Sequence, residues 1–286
     1  MDQFRARLAQ PSDYASVARL CRRAVGPDDY VLRYLRDVIR EHSLYLAFLD
    51  RGLVGMTNFE KCVDGSGWLG MARTDPGSRR KGVAIFLQKT IANHARENRI
   101  RILRLWTLSK NSPAIRACLK GGYRPVCYTI HVSQSLRRRK TDRRFKARTD
   151  VSTDLEDEIL RSPYLAKMNG YMPYQWHIIK PDRDVFRGIA GSGKFYTMGQ
   201  TAFLLSIPDF ASWDTKRKIL HSEFTLLTGE AKESFRIVKR AAQSVRVGFL
   251  GAYLPLDRRF LAKAQEAGFR KDAWADYCIV FEKRLR

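Results

Sequence analysis

Apolar positions in the first 132 residues alternate between short strand-like runs and stripes at helical spacing. Phe4–Ala9 reads as a strand. Pro11-Ser12-Asp13 opens a helix to about Ala24, with Ser12 as the expected N-cap and Val17, Leu20 and Cys21 on its apolar face. Gly26-Pro27-Asp28 breaks it. A second helix runs to about Arg40 on a stripe of Val31, Leu32, Leu35, Val38 and Ile39. Residues 44–49 and 53–59 are strands around a hairpin turn, Asp50-Arg51-Gly52. Asp64-Gly65-Ser66-Gly67 is the next turn and Trp68–Thr74 the next strand. A helix over Gly82–Asn98, a strand over Ile102–Leu108 and a helix over Pro113–Lys120 follow. Gly121-Gly122 stops that last helix, and Val126–Val132 is a further strand.

The pattern breaks at Arg137–Arg148, RRRKTDRRFKAR. It reads as a solvated basic linker, or as a strip that binds polyanions. Beyond it the elements are less regular. Leu155–Leu165 reads as a helix, 176–179, 195–197, 202–207 and 224–228 as strands, and 230–243 as a helix. A strand over 245–250, a helix over 258–267 ending at Gly268 and a strand over 278–283 close the chain. The reading is therefore an α/β (α+β) chain of three parts: 1–136, a linker at 137–150, and 151–286.

Composition narrows the class. The formal net charge is +24. Residues 1–136 hold 23 basic and 11 acidic residues, the linker 8 and 2, and residues 151–286 hold 22 and 16. Such a field attracts nucleic acid, phosphorylated cofactors, acidic proteins or anionic lipid surfaces, and it equally serves solubility. The five cysteines show no metal-ligand spacing, so no metal site is expected and the thiols read as reduced. No leader and no membrane-length apolar run is found, which points to a soluble cytoplasmic protein without a membrane partner.

The strongest chemical signal is Thr74–Ala84, TDPGSRRKGVA, between a strand and a helix. A helix N-terminus has unpaired N–H groups and a partial positive charge. A phosphate settles there where the backbone can approach closely. Gly82 and Ala84 keep that approach open, and Arg79, Arg80 and Lys81 add charge. With Arg79-x-x-Gly82-x-Ala84, this turn resembles motif A of the GNAT superfamily of N-acetyltransferases. Asp75-Pro76 ahead of it, Arg5…Asp13…Leu20 at the start, and Asn111-Ser112-Pro113-Ala114-Ile115 followed by Gly122-Tyr123 extend the resemblance over about residues 4–132.

The resemblance implies a mixed, mostly antiparallel sheet flanked by helices, with acetyl-CoA as co-substrate. It implies that two middle strands, about Met71–Thr74 and Leu105–Leu108, splay to admit the pantetheine arm. The amides of Arg79, Arg80, Lys81, Gly82, Val83 and Ala84 would hold the pyrophosphate. Ala72 and Thr74 would meet the pantetheine by main chain, and Asn111 would lie near the thioester. Transfer to an amine would proceed by direct attack in a ternary complex. A base removes the amine proton, often through water, and an acid protonates the thiolate.

The chain departs from the family at the acid. Where many members carry a tyrosine, five residues before the aromatic of Gly122-Tyr123, stands Cys118. A thiol can donate a proton, and Tyr128 or a water are alternatives to it. Glu60 is the candidate base, with Asp64 and Asp75 nearby in sequence; each also reads as a surface carboxylate. His94 and His131 read as structural or surface residues.

Residues 245–283 resemble the closing part of the same fold. The preceding turn, Thr228-Gly229-Glu230-Ala231-Lys232, lacks the phosphate motif, and Glu230 would repel phosphate. This suggests a degenerate second GNAT-like domain in tandem, serving as an acceptor wall or a structural partner. Tyr171, Tyr174, Trp176 and Trp213 could stack on an acceptor or fill a core. Gly188–Lys194, GIAGSGK, mimics a P-loop, but Phe195 replaces its Ser or Thr and a strand is expected next, so Gly191-Ser192-Gly193 reads as a hairpin turn. The competing reading is a non-catalytic protein on this scaffold that senses acyl-CoA or binds nucleic acid.

Overall fold

The computed structural model describes residues 4–137, 145, 147–206, 220–273 and 276–286. Most of the basic stretch at 137–148, and Trp213, lie outside the described residues. In chain order the first elements are β1 (Phe4–Leu8), α1 (Tyr14–Ala24), α2 (Val31–Arg40), β2 (Leu44–Leu49), β3 (Gly52–Lys61), β4 (Gly67–Thr74), α3 (Val83–Glu97), β5 (Ile102–Leu108), α4 (Ser112–Lys120) and β6 (Arg124–Ser135). There follow α5 (Thr153–Leu160), α6 (Pro163–Lys167), β7 (Met172–Tyr174), β8 (His177–Ile179), α7 (Arg183–Gly191), β9 (Phe195–Met198), β10 (Thr201–Ser206) and β11 (Leu220–Leu226). The chain closes with α8 (Ala231–Ser244), β12 (Val247–Pro255), α9 (Arg258–Glu266), β13 (Arg270–Lys271) and β14 (Cys278–Arg284).

Two compact units emerge. The first comprises Met1–Trp106, Asn111–Arg124 and Phe281–Arg286; the second comprises Thr107–Lys110 and Pro125–Val280. The chain thus leaves the first unit at Arg124, and its last six residues return to it.

In the first unit β1, β2, β3 and β4 pair antiparallel in sequence order. The stripes read from the sequence explain the packing. Val17, Leu20 and Cys21 of α1 and Val31, Leu35, Val38 and Ile39 of α2 are buried with Leu44, Leu46 and Met56 in one cluster. Ser12 does not cap α1. It lies in a 3-10 turn, Pro11–Asp13, where Asp13 accepts from the Gln10 N–H (2.7 Å) and forms a fork with Arg7 (2.6 and 2.8 Å). At β4 the sheet stops being regular. Gly70 pairs with Asn58 and Arg73 with Met56, so Met71 and Ala72 together face Thr57 in a bulge. Met71 takes a left-handed backbone, φ 52°. The parallel β4–β5 ladder has two rungs only, Gly67 with Leu103 and Trp68 with Arg104.

In the second unit β9, β10 and β11 are antiparallel, β11 and β12 parallel, and β12 and β6 antiparallel. The segment read as one helix over 155–165 is two, broken at Arg161-Ser162, where Ser162 caps α6. The P-loop look-alike needs a correction. Gly188–Gly191 is the last turn of helix α7, and Gly193 (φ 72°) turns a helix into strand β9 rather than joining two strands. A P-loop runs from strand to helix, so the polarity here is reversed.

Candidate active site

The β4–β5 pair ends at Trp68 and Arg104, and β4 then runs on to Thr74 with no partner strand on that side among the described residues. This is a wedge whose closed end is the Trp68–Arg104 rung. A buried ion cluster holds that end. The Arg104 guanidinium meets Asp64 (2.6 Å), Ser66 Oγ (2.8 Å) and Glu282 (2.9 Å), with all three charged side chains at most 8% exposed. Asp64, one of the carboxylates considered as a base, is therefore one leg of this clamp. Glu60 pairs across β3–β4 with Trp68 and accepts from the Asn58 amide, so it stands on the same rung.

The open end of the wedge leads into the loop at residues 75–82. Asp75 caps the 3-10 turn Pro76–Ser78, accepting from Gly77 N–H (3.0 Å), and pairs with Arg23. Arg79 is extended, Arg80 is left-handed at φ 66°, and Gly82 is left-handed at φ 91°. Within the loop the Arg79 and Lys81 N–H groups donate to Pro76 O and Ser78 O (both 3.4 Å), contrary to the expectation that their amides face a pyrophosphate. Gly82 is the N-cap of the fifteen-residue α3, no side chain caps the helix, and no acidic residue stands in its first turn. A Cβ at Gly82 would meet no atom within 4 Å. The loop therefore presents unsatisfied amides at Val83 and Ala84 to an open approach, which fits a pyrophosphate. The exposed Arg80 and Lys81 flank it. The Arg79 side chain instead donates to Ala24 O (3.1 Å) at the end of α1, which braces the loop.

Ala72 is exposed in the bulge, and its carbonyl accepts from Arg73 Nη1 (2.9 Å). Arg73 was not anticipated from the sequence. It forks onto the fully buried Asp29 (2.5 and 2.7 Å) and lies 5.2 Å over the Tyr30 ring, fastening the α1–α2 connection to β4. Thr74 ends β4, paired with Gly55. Asn111 caps α4, accepting from Ala114 N–H (3.3 Å). Cys118, two turns further on, is 3% exposed, and burial pushes its thiol up to about 12. Tyr128, the alternative acid, is exposed in the second unit, 6.1 Å from Tyr277.

The second unit offers an internal contrast. There too the parallel strands separate, since β11 and β12 pair no further than Glu223 with Gly251. The opening is filled by the chain itself. Tyr164 and Met168 (α6 and its end) and Met172 (β7) pack against Thr225, Leu226 and Tyr253, leaving a void of about 10 Å³, and Thr225 Oγ1 donates to Pro173 O (2.6 Å). The helix that follows is sealed as well. Glu230 caps α8 by accepting from Glu233 N–H (3.0 Å). Gly229 (φ 100°) is hemmed in by Ser234 Oγ and Thr201 Oγ1, which lie 2.6 and 2.7 Å from where a Cβ would stand. A carboxylate of the protein thus occupies the position that anions favour at a helix start. Of the aromatics there, Tyr171 and Tyr174 are core residues. All five cysteines are buried and unbridged, and among the described residues no group of His, Cys, Asp or Glu is arranged to hold a metal.

The wedge, the bulge and the open helix start lie together in the first unit. Comparison with known proteins shows that residues 13–123 match the acetyltransferase (GNAT) family, so this part of the chain is a GNAT acetyltransferase domain. Solved structures extend the fold likeness to the whole chain. A proposed acetyltransferase of Thermoplasma acidophilum is 16% identical with a TM-score of 0.64, over 98% of this chain and 99% of that one. One of Pyrococcus horikoshii is 14% identical, TM-score 0.57, over 99% and 90%. A GCN5-related N-acetyltransferase of Sphaerobacter thermophilus is 16% identical, TM-score 0.57, over 100% and 97%. A search of curated proteins finds no match. No helix among the described residues is long and apolar enough to cross a membrane.

Proposed function

We propose that the first unit binds one acetyl-CoA, that the second binds none, and that acetyl passes to an amine by direct attack in a ternary complex. The observation that carries this is the contrast between two helix starts: α3 uncapped behind an open Gly82, α8 capped by Glu230 behind a crowded Gly229. The second unit is read as a degenerate GNAT-like domain whose arm slot holds α6 and β7. In the first unit the pyrophosphate would take the open amides of Val83 and Ala84, and the arm would run along Thr74 and Ala72 with Asn111 near the thioester.

Placement supplies much of the rate in such a reaction. For proton removal from the amine, Glu60 is the candidate, acting through water at the closed end of the wedge. For thiolate protonation, the buried Cys118 is a poor donor. Moving a proton from a group at about 12 to a thiolate of ordinary pKa near 8.5 costs about 5 kcal/mol, so Cys118 is not assigned that step; the thiolate takes the proton that the amine releases on acylation, relayed through water. The charge of +24 favours an amine carried on an anionic macromolecule over a cationic small molecule.

Calorimetric titration tests the cofactor reading. We expect one CoA per chain, and none for Gly82→Glu, whose carboxylate would stand in the pyrophosphate position. Two sites per chain, or undiminished binding by G82E, refutes it. Transfer of labelled acetyl into protein, RNA and small-molecule fractions of a cell extract then identifies the acceptor class. CoA binding without label in any fraction would favour a sensor, or a different acyl donor.

A further inference from the structure

The basic charge of the first unit is concentrated in one sector. Residues 4–82 carry fourteen basic and nine acidic residues. The remaining segments of the unit, 83–106, 111–124 and 281–286, carry eleven basic residues and two acidic ones. One of each, Arg104 and Glu282, is spent in the buried clamp, which leaves ten cations against Glu97.

These cations are brought together by the fold. The C-terminal strand lies beside β5, with Leu285 N–H donating to Arg101 O (2.8 Å). Arg96 of α3 donates to Arg286 O (3.0 Å), and Lys283 Nζ donates to Gly121 O (2.7 Å), next to Lys120 at the end of α4. Lys283 is held below the usual lysine range by partial burial and by the charges of Arg96 and Lys89. Sequence-distant residues thus meet in a like-charged patch: Lys89, Arg96, Arg101, Lys120, Lys283 and Arg286. A concentration of one sign raises the energy of the folded unit through self-repulsion, and polyanion binding relieves it.

We propose that this sector of α3, α4 and the C-terminal strand is a docking surface for the phosphodiester backbone of a nucleic-acid duplex. Arginine forks fit phosphate oxygens. Among the described residues of these segments Leu119 is the one exposed large apolar side chain, so the surface lacks the aromatic platforms that single strands stack on. It also lacks the apolar centre that a protein interface needs. Binding would be sequence-independent, through phosphates alone. The patch draws on none of the residues assigned to acetyl-CoA, so this inference stands apart from the proposed activity.

The test is fluorescence anisotropy with labelled 20-base-pair RNA and DNA duplexes, titrated across a series of salt concentrations, on the full chain. The variants are Lys89→Glu/Arg96→Glu/Lys120→Glu and a control of equal charge change, Arg19→Glu/Arg22→Glu/Arg33→Glu. Thermal melts and CoA titration verify that each is folded, and a Gln series at the same positions replaces any that is not. We expect the patch variant to bind at least about 10-fold more weakly at low salt. Its slope of log K against log salt should be shallower by about 2–3, near 0.9 for each phosphate that the variant no longer neutralises. The control should stay within about 2-fold. A difference between the RNA and DNA arms names the source. Equal losses in both variants would show diffuse charge, and tighter binding to polyglutamate than to either duplex would show an acidic-protein surface. Either result, or no duplex binding by the wild type, overturns the proposal.

Discussion

Arg104 gives the sharpest stability prediction. Its guanidinium is 1% exposed and neutralised by Asp64 and Glu282, which are 4% and 8% exposed. Arg104→Met keeps the apolar bulk but strands two carboxylates in a place water does not reach. Breaking a buried pair by removing one partner costs about 3–5 kcal/mol. At roughly 2–4 °C per kcal/mol, Tm should fall by about 6–20 °C. Glu282→Gln is a far milder change. It leaves Arg104 paired with Asp64, and the Gln carbonyl can still accept from Nε, so about 1 kcal/mol is expected. Combining Arg104→Met with Asp64→Asn and Glu282→Gln removes every charge of the cluster and should recover much of the loss. Circular-dichroism melts measure all of this, and high salt should change little because the cluster is buried. A Tm for Arg104→Met within 3 °C of wild type, or a triple variant less stable than it, would refute the reasoning.

Three further outcomes follow from the structure. His131 lies between Asp272 (2.6 Å) and Glu223 (3.2 Å) in the second unit, and although burial lowers its pKa, the two carboxylates raise it to about 9. Its folded pKa exceeds the unfolded 6.5, so the stabilisation, on the order of 3 kcal/mol, is complete below pH 6.5 and lost as pH rises through 9. Chemical denaturation at pH 6 and 9.5 should show this slope, and His131→Gln should abolish it. Glu230→Ala should cost about 1 kcal/mol of stability through loss of the α8 cap. It should create no second CoA site, because α6 and β7 still fill the opening; calorimetric stoichiometry checks this. Glu60→Gln should lower kcat by about 10²-fold or more, with the CoA dissociation constant unchanged, whereas Cys118→Ala should leave kcat within about 3-fold.

The elements that carry their own local signal were legible without coordinates. The α1 and α2 stripes at Val17–Cys21 and Val31–Ile39, the Asp50-Arg51-Gly52 turn and the strand–loop–helix around Gly82 depend on neighbours a few residues away. The loop ahead of α3 was legible for the same reason, since a helix start and a left-handed glycine are local features. Glu230 was expected to repel phosphate, and it takes the capping place itself. The α7 helix was missed because Gly188 and Gly191 look like turn residues, and its amphipathic burial of Phe186 and Ile189 is a tertiary matter. One signal was present but unread: an arginine inside the apolar run ILRLWTL demands buried carboxylates.

By itself, then, the sequence determined the order of elements in the first 132 residues, the glycine-led helix start at Thr74–Ala84 and the acidic one at Thr228–Lys232. Tertiary structure alone decided the rest. It brought Glu282 to Arg104 across 178 residues of chain, returned the last six residues to the first unit, laid α6 and β7 into the second opening, and gathered Lys89, Arg96 and Lys283. The physical reason is range. Hydrogen bonds of caps and turns form between residues near in sequence, whereas ion pairs, strand neighbours and filled cavities depend on which distant segments the folded chain packs together.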